Sequence, residues 1–314
     1  MEENMKYTKL GKTDIRISRI THGCMELGGG RWKTMDKETN IRLLHTALDH
    51  GITTFDTAEG YGAGTSERIV GEALKGKRQE CVIATKVLKE HLHAADVRRA
   101  AEGSLRRLGT DYIDLLYVHW PNDEIPIEET MGEFAKLKQE GKIRAIGVSN
   151  FSIAQLQAAM QVTTIDALQP EYNLLTRNIE NGLLTFCQDN QISVLTYNSI
   201  AKGILSGAFH FGGVKLDAED FRNEKPLFSA HNLQAEAPLL KVLQKTAQAH
   251  GATISQIAAA WVMAQEGVSS AIIGTQNEKH FVENLESVDI CLGEEEVRQL
   301  SDVSASVISQ LTGV

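Results

Sequence analysis

A chain of 314 residues, 42% hydrophobic and 23% charged, is long enough to bury a sizeable core and falls in the range of one large domain or two ordinary ones. Its formal net charge of −9 argues against a general affinity for nucleic acid or anionic membrane surfaces, and no run approaches the roughly 18 apolar residues of a membrane span. Cys24, Cys81, Cys187 and Cys291 lie far apart without a Cys-x-x-Cys pair, so they read as core or near-core thiols of a reducing compartment, with neither a disulfide framework nor a zinc signature.

The N-terminal segment MEENMKYTKLGKTDIRISRI begins acidic and lacks the apolar stretch of a secretory signal, which points to a cytoplasmic protein. Eight short apolar runs then follow in order: Ile17 to Cys24, Ile52 to Asp56, Cys81 to Lys86, Ile113 to His119, Ala145 to Ser149, Ala167 to Gln169, Ser193 to Tyr197 and Ala271 to Gly274. Their content reads as buried strands. Between them lie segments with helical spacing, such as DKETNIRLLHTALDHG, with Ile41, Leu44, Ala47 and Leu48 on one face, and AADVRRAAEGSLRRLG. A long stretch rich in glycine and charge, Gly203 to Asn232, reads as a functional loop before the next helix. The C-terminal segment from about residue 293 reads as a helical tail.

Eight strand–helix alternations over about 270 residues match a (β/α)₈ barrel, here taken as a single domain over residues 1–314. A doubly wound open sheet is the rival, but neither ELGGGRW nor GYGAGTSERIVG has the glycine spacing of a dinucleotide fingerprint, nor the lysine of a phosphate-binding loop. Those glycines read as sharp turns.

All strand C-termini of such a barrel open onto one face, so residues distant in sequence converge there. The second run ends at Asp56 with Tyr61 just beyond, the third at Lys86 and the fourth at His119. Each has a simpler reading alone: a cap, a solvent-seeking lysine, a structural histidine. Together they suggest more, because a lysine buried at the mouth needs a counter-ion, and Asp56 is in place to be one. Making a phenol acidic near neutrality takes about 3–4 kcal/mol, which an ammonium about 4 Å away supplies. Lys86 is therefore expected to lower the pKa of Tyr61, making Tyr61 a proton donor to a carbonyl oxygen that His119 orients. Such a step needs a hydride donor; His91 to His93 does not read as a metal site.

At these residues the chain resembles the aldo-keto reductase family, whose members are (β/α)₈ barrels that reduce aldehydes and ketones with NADPH or, less often, NADH. FDTAEGYGAGTSERIVGEAL, IATK, DLLYVHWP and IRAIGVSNF stand in the family's order and at its spacing, and the similarity covers nearly the whole chain. The resemblance places a catalytic Asp–Tyr–Lys–His tetrad on Asp56, Tyr61, Lys86 and His119. It implies a carboxamide-binding set of Ser149, Asn150 and Gln169, and Tyr197 as the residue stacked on the nicotinamide. It further implies a pyrophosphate loop at Asn198, Ser199, Ile200 and Lys202, with Ser199 in place of the family's usual proline. The adenosine end falls on Gly274, Gln276, His280, Glu283 and Asn284. Gly274, Gln276 and His280 stand where NADPH-preferring relatives often carry lysine or arginine, so NADPH is expected and an NADH preference is open. Substrate contacts fall on Met25, Trp120 and the loop after Gly203. Trp32 and Phe228 either line the opening or pack within loops, and the apolar mouth suits a small uncharged aldehyde or ketone. Two other readings are a lyase with a Schiff base on Lys86 and a cofactor-sensing subunit with little turnover.

Overall fold

The computed structural model describes residues 5–30, 35–275 and 277–314. The chain first forms an antiparallel hairpin, β1 (Tyr7–Lys9) and β2 (Arg16–Ser18), and then enters the barrel at β3 (Ile20–Gly23). The first apolar run is thus two elements rather than one: Ile17 belongs to the hairpin, and the chain turns at Arg19. Strands β4 (Thr54–Asp56), β5 (Val82–Val87), β6 (Ile113–Val118), β7 (Ile143–Ser149), β8 (Ala167–Gln169), β9 (Ser193–Thr196) and β10 (Val268–Ile273) follow. They close a parallel barrel in the order β3 to β10, with β10 pairing back onto β3. A strand with helices on one side and barrel interior on the other must be apolar on both faces, which is why these segments read as runs and not as alternations.

Helices α1 (Lys37–Asp49), α2 (Thr65–Ala73), α3 (Ala94–Leu108), α4 (Ile127–Gln139), α5 (Ile153–Met160) and α6 (Leu183–Asp189) connect successive strands from β3 to β9. The segment after β9 breaks into short 3-10 turns before α7 (Ala230–His250), so the expected loop ends three residues early, where Ser229 caps the helix through Asn232 N–H. Then come α8 (Ile254–Ala264), β10, α9 (Glu278–Leu285) and α10 (Glu294–Ile308), the expected C-terminal helix, which lies on α7 and α8. None of the helices among the described residues is long and apolar enough to cross a membrane. Cys24, Cys81 and Cys187 are buried as expected, whereas Cys291 is exposed, because it follows the short turn after α9 rather than a barrel strand.

Side-chain period decides what faces the interior. Val82 and Ala84 of β5, Leu115 and Tyr117 of β6, Ala145 of β7, Ala167 of β8 and Leu195 of β9 form an inner cluster, joined from below by Leu10, Ile15 and Ile17 of the hairpin. Two residues further along each strand, the same inward face carries Lys86, His119, Gln169 and Tyr197, and Ser149 stands four beyond Ala145. Gly147 is what admits the Tyr117 ring, since a Cβ there would stand 2.4 Å from two ring carbons. The apolar layers therefore end where the polar residues begin, at the C-terminal mouth.

Candidate active site

Lys86 is fully buried, and its Nζ donates to Asp56 Oδ1 at 2.5 Å, to the Thr57 carbonyl at 2.8 Å and to Tyr61 Oη at 3.3 Å. The other Asp56 oxygen, Oδ2, accepts from Gln169 Nε2 at 2.7 Å. A buried carboxylate with both oxygens engaged and a buried ammonium with three partners meet the condition under which such a pair is tolerated. The ring of Tyr61 meets His119 edge to face, with centroids 5.8 Å apart. The four residues therefore converge, as expected.

The turn that delivers Tyr61 is clamped by a backbone contact. Gly62 has φ +61, and a Cβ there would lie 2.1 Å from the Gly28 carbonyl oxygen, so only glycine suits this crossing. Below it, Ser66 Oγ donates to the Cys24 carbonyl at 2.6 Å and lies 2.8 Å from Thr57 Oγ1. Glu59, between Asp56 and Tyr61, accepts from Leu88 N–H at 2.8 Å and lies 2.9 Å from His91 Nδ1. His91 thus braces the turn that carries Tyr61; His93 instead meets Glu129.

The electrostatics differ from the expectation in one respect. Burial raises the pKa of Tyr61 above its ordinary value of 10.0; the Lys86 charge opposes this, but the Asp56 charge adds to it. The expected acidification fails because burial of the phenol outweighs the Lys86 charge, and Asp56, which holds the ammonium, adds to the rise. For Lys86, burial favours the neutral amine, yet Asp56 and Tyr61 more than offset it and leave the pKa above that of a free lysine. His119 is driven down to about 3, first by burial and then by Lys86, so its imidazole is neutral at ordinary pH.

The neighbouring strand ends form a second polar group. Ser149 Oγ donates to the Gln169 carbonyl at 2.8 Å, and Asn150, at φ +62, donates from Nδ2 to Ser149 Oγ at 3.0 Å. Tyr197 Oη donates to Asn150 Oδ1 at 3.0 Å. The loop after Tyr197 is held by Glu171: Asn198 Nδ2 donates to its Oε1 at 2.5 Å, and Lys202 Nζ lies 4.0 Å away. Ser199 Oγ reaches the Ile272 carbonyl at 3.3 Å, and Ile200 is part-buried beside it. Gly274 directly follows β10, and on α9 His280 is exposed, Glu283 is part-buried and Asn284 is buried. Gln276 and Trp32 lie outside the described residues. Met25 and Trp120 stand open at the mouth, 37% and 47% exposed. Phe228 packs edge to face on Phe209 at 5.3 Å and lines a cavity of about 280 Å³ with Lys202, Leu311 and Val314.

The sequence model of the aldo/keto reductase family matches residues 19–305. The chain belongs to this family. It is 37% identical to the aldo-keto reductase YhdN of Bacillus subtilis, over 98% of this chain and 96% of that protein. It is 33% identical to the NADH-specific methylglyoxal reductase of Escherichia coli, over 98% of both. Among solved structures it resembles the glycerol dehydrogenase from Gluconobacter oxydans, with a TM-score of 0.88 and 32% identity over 100% of this chain and 99% of that one. It also resembles an aldo-keto reductase from Klebsiella pneumoniae in complex with NADPH, with a TM-score of 0.78 and 31% identity over 99% of both chains. NAD(P)H-dependent carbonyl reduction is the general chemistry of the aldo/keto reductases.

Three side chains around this aldo-keto reductase site carried no signal strong enough to be singled out from sequence. Glu171 follows Gln169 and Pro170 and was open only through its charge. Glu67, fully buried on α2, accepts from Thr85 Oγ1 at 2.7 Å and from Arg107 Nε at 2.5 Å, tying the helix after Tyr61 to the back of β5. Glu26 lies in the turn after β3, with its carboxylate against Gly274.

Proposed function

We propose that the protein reduces small, uncharged aldehydes or ketones to alcohols with NADPH, with NADH as a possible second donor, using Tyr61 as the general acid. The observation that carries this reading is the Asp56–Lys86–Tyr61 chain of contacts, at 2.5 and 3.3 Å, opening beside the polar set of Ser149, Asn150 and Gln169. That set fits a nicotinamide: an amide requires both donors and acceptors, and Asn and Gln side chains at adjoining strand ends offer both. The cationic Lys202 lies on the loop beyond Tyr197, which suits a phosphate-bearing dinucleotide. Ser149, Asn150 and Gln169 would hold the carboxamide and Tyr197 the ring face. Asn198, Ser199, Ile200 and Lys202 would hold the pyrophosphate, and Gly274, His280, Glu283 and Asn284 the adenosine end.

The chemistry a bound reduced nicotinamide supplies is a hydride for the carbonyl carbon. Tyr61 Oη gives its proton to the carbonyl oxygen as negative charge gathers there. With its pKa raised, the phenol is a protonated donor throughout the neutral range, so Lys86 works chiefly on the phenolate left behind, which it stabilises from 3.3 Å. Asp56 and Gln169 keep the ammonium in place. His119, neutral, offers a ring N–H to fix the carbonyl oxygen. Met25 and Trp120 give the mouth its apolar walls for the substrate. We place this activity in the cytoplasm, where nicotinamide cofactors are available, and nothing in the structure favours the lyase or the sensor reading. The test is steady oxidation of NADPH, and of NADH, with 4-nitrobenzaldehyde. Turnover with either supports the reading; tight binding of both cofactors with negligible turnover on a panel of carbonyls overturns it.

A further inference from the structure

One carboxylate at the mouth has no part in that scheme. The side chain of Glu26 crosses from the turn after β3 to the end of β10, where a Cβ on Gly274 would stand 2.5 Å from its Oε2 and 2.7 Å from its Oε1. The Asn198–Lys202 loop touches the same strand through Ser199 and Ile272. On the opposite side, the Glu26 charge reaches Cys24 and Tyr61 and raises the pKa of both, after burial has done most of the work. Glu26 therefore lies between Gly274, at the proposed adenosine end, and the turn that carries Tyr61.

No cation neutralises this carboxylate among the described residues. Lys86 is committed to Asp56, Lys202 on the β9 side lies near Glu171, and Lys279 of α9 pairs with Glu283. On α2, which packs on the Glu26 turn, Arg68 bonds to Ala63 and Thr65, and Glu67 is held by Arg107 and Thr85. His280 is exposed on α9. Burial, only partly offset by its own backbone N–H, raises Glu26 to about 7. Negative phosphates brought beside an unpaired carboxylate would repel it; beside a neutral carboxyl they would instead accept a hydrogen bond.

We propose that Glu26 is a protonation gate on the cofactor: it takes up one proton from solvent as the dinucleotide binds, and its neutral carboxyl donates a hydrogen bond to a phosphate oxygen. This inference rests on the NAD(P)H reading above and adds to it a dependence of binding on pH. A group that must be protonated in the complex, but titrates near neutrality in the free protein, weakens binding roughly tenfold for each pH unit above that point.

The experiment is fluorescence titration of NADPH from pH 6 to 9 into the wild-type protein, Glu26→Gln and Glu26→Ala, with calorimetry at pH 8 in HEPES and in Tris to count protons. The wild type should show a rising Kd above neutrality and an uptake close to one proton per NADPH, and both variants should lose the steep rise and the uptake. A wild-type Kd that is flat with pH, or a slope and proton uptake equally strong in Glu26→Gln, would overturn the gate while leaving the cofactor assignment standing. Failure of all three proteins to bind NADPH even at pH 6 would overturn the cofactor assignment, and the gate with it.

Discussion

At the floor of the barrel, Leu10, Ile15 and Ile17 press into Val82, Leu115, Ala145 and Ala167, and the hairpin that carries them is stitched down where Gly11 N–H donates to Ser193 Oγ at 2.8 Å. At the mouth, the same strands end in Asp56, Lys86, His119, Ser149 and Gln169, and there His119 Nδ1 is buried with no hydrogen-bond partner among the described residues. One end is apolar, contributing about 2 kcal/mol for each large side chain buried. The other carries buried charged and polar groups, with an unmet imidazole nitrogen that costs stability and leaves bonding capacity for a ligand. Stability and chemistry are thus separated along the barrel axis, and substitutions at the two ends should read out differently.

The largest effect is expected at Lys86. Lys86→Met leaves Asp56 buried with Gln169 as its remaining side-chain partner and removes the charge that steadies the phenolate. Carbonyl reduction should fall by about 10³-fold or more, with a loss of about 3–5 kcal/mol in unfolding free energy by urea denaturation. Activity close to wild type in that variant would break the division between the two ends. Leu10→Ala, at the floor, should cost about 2–5 kcal/mol in the same denaturation assay while leaving kcat within about twofold at a temperature where the protein stays folded. A large fall in kcat there would show that the hairpin reaches the chemistry.

The barrel was legible because burial on both faces forces continuous apolar runs, and eight of them survive in the sequence. The hairpin was not: β1 and β2 have three residues each, and Ile17 adjoins β3 closely enough to merge with it. Asp56, Tyr61, Lys86 and His119 could be gathered because all lie at or just beyond strand ends, where topology alone makes them neighbours. The direction of the Tyr61 shift could not be gathered, since it depends on how far burial outweighs Lys86, and burial is a property of the folded mouth. Glu26 escaped notice for a similar reason: the path of a turn decides whether a glutamate meets solvent or Gly274. The bond from Gln169 to Asp56 joins residues 113 apart, across the barrel, with no local pattern to announce it.

The central claim is that the Tyr61 hydroxyl is the proton source, and Tyr61→Phe tests it by removing one oxygen. NADPH binding and carbonyl turnover should be measured on that variant and on wild type from pH 6 to 9, at saturating cofactor. The account predicts that wild-type turnover stays level across this range, because the raised pKa keeps Tyr61 protonated and the acid form is lost only at higher pH. It also predicts that turnover drops by about 10²–10⁴-fold in the variant while its Kd for NADPH stays within about twofold. A Tyr61→Phe protein that turns over carbonyl substrate at the wild-type rate would contradict it.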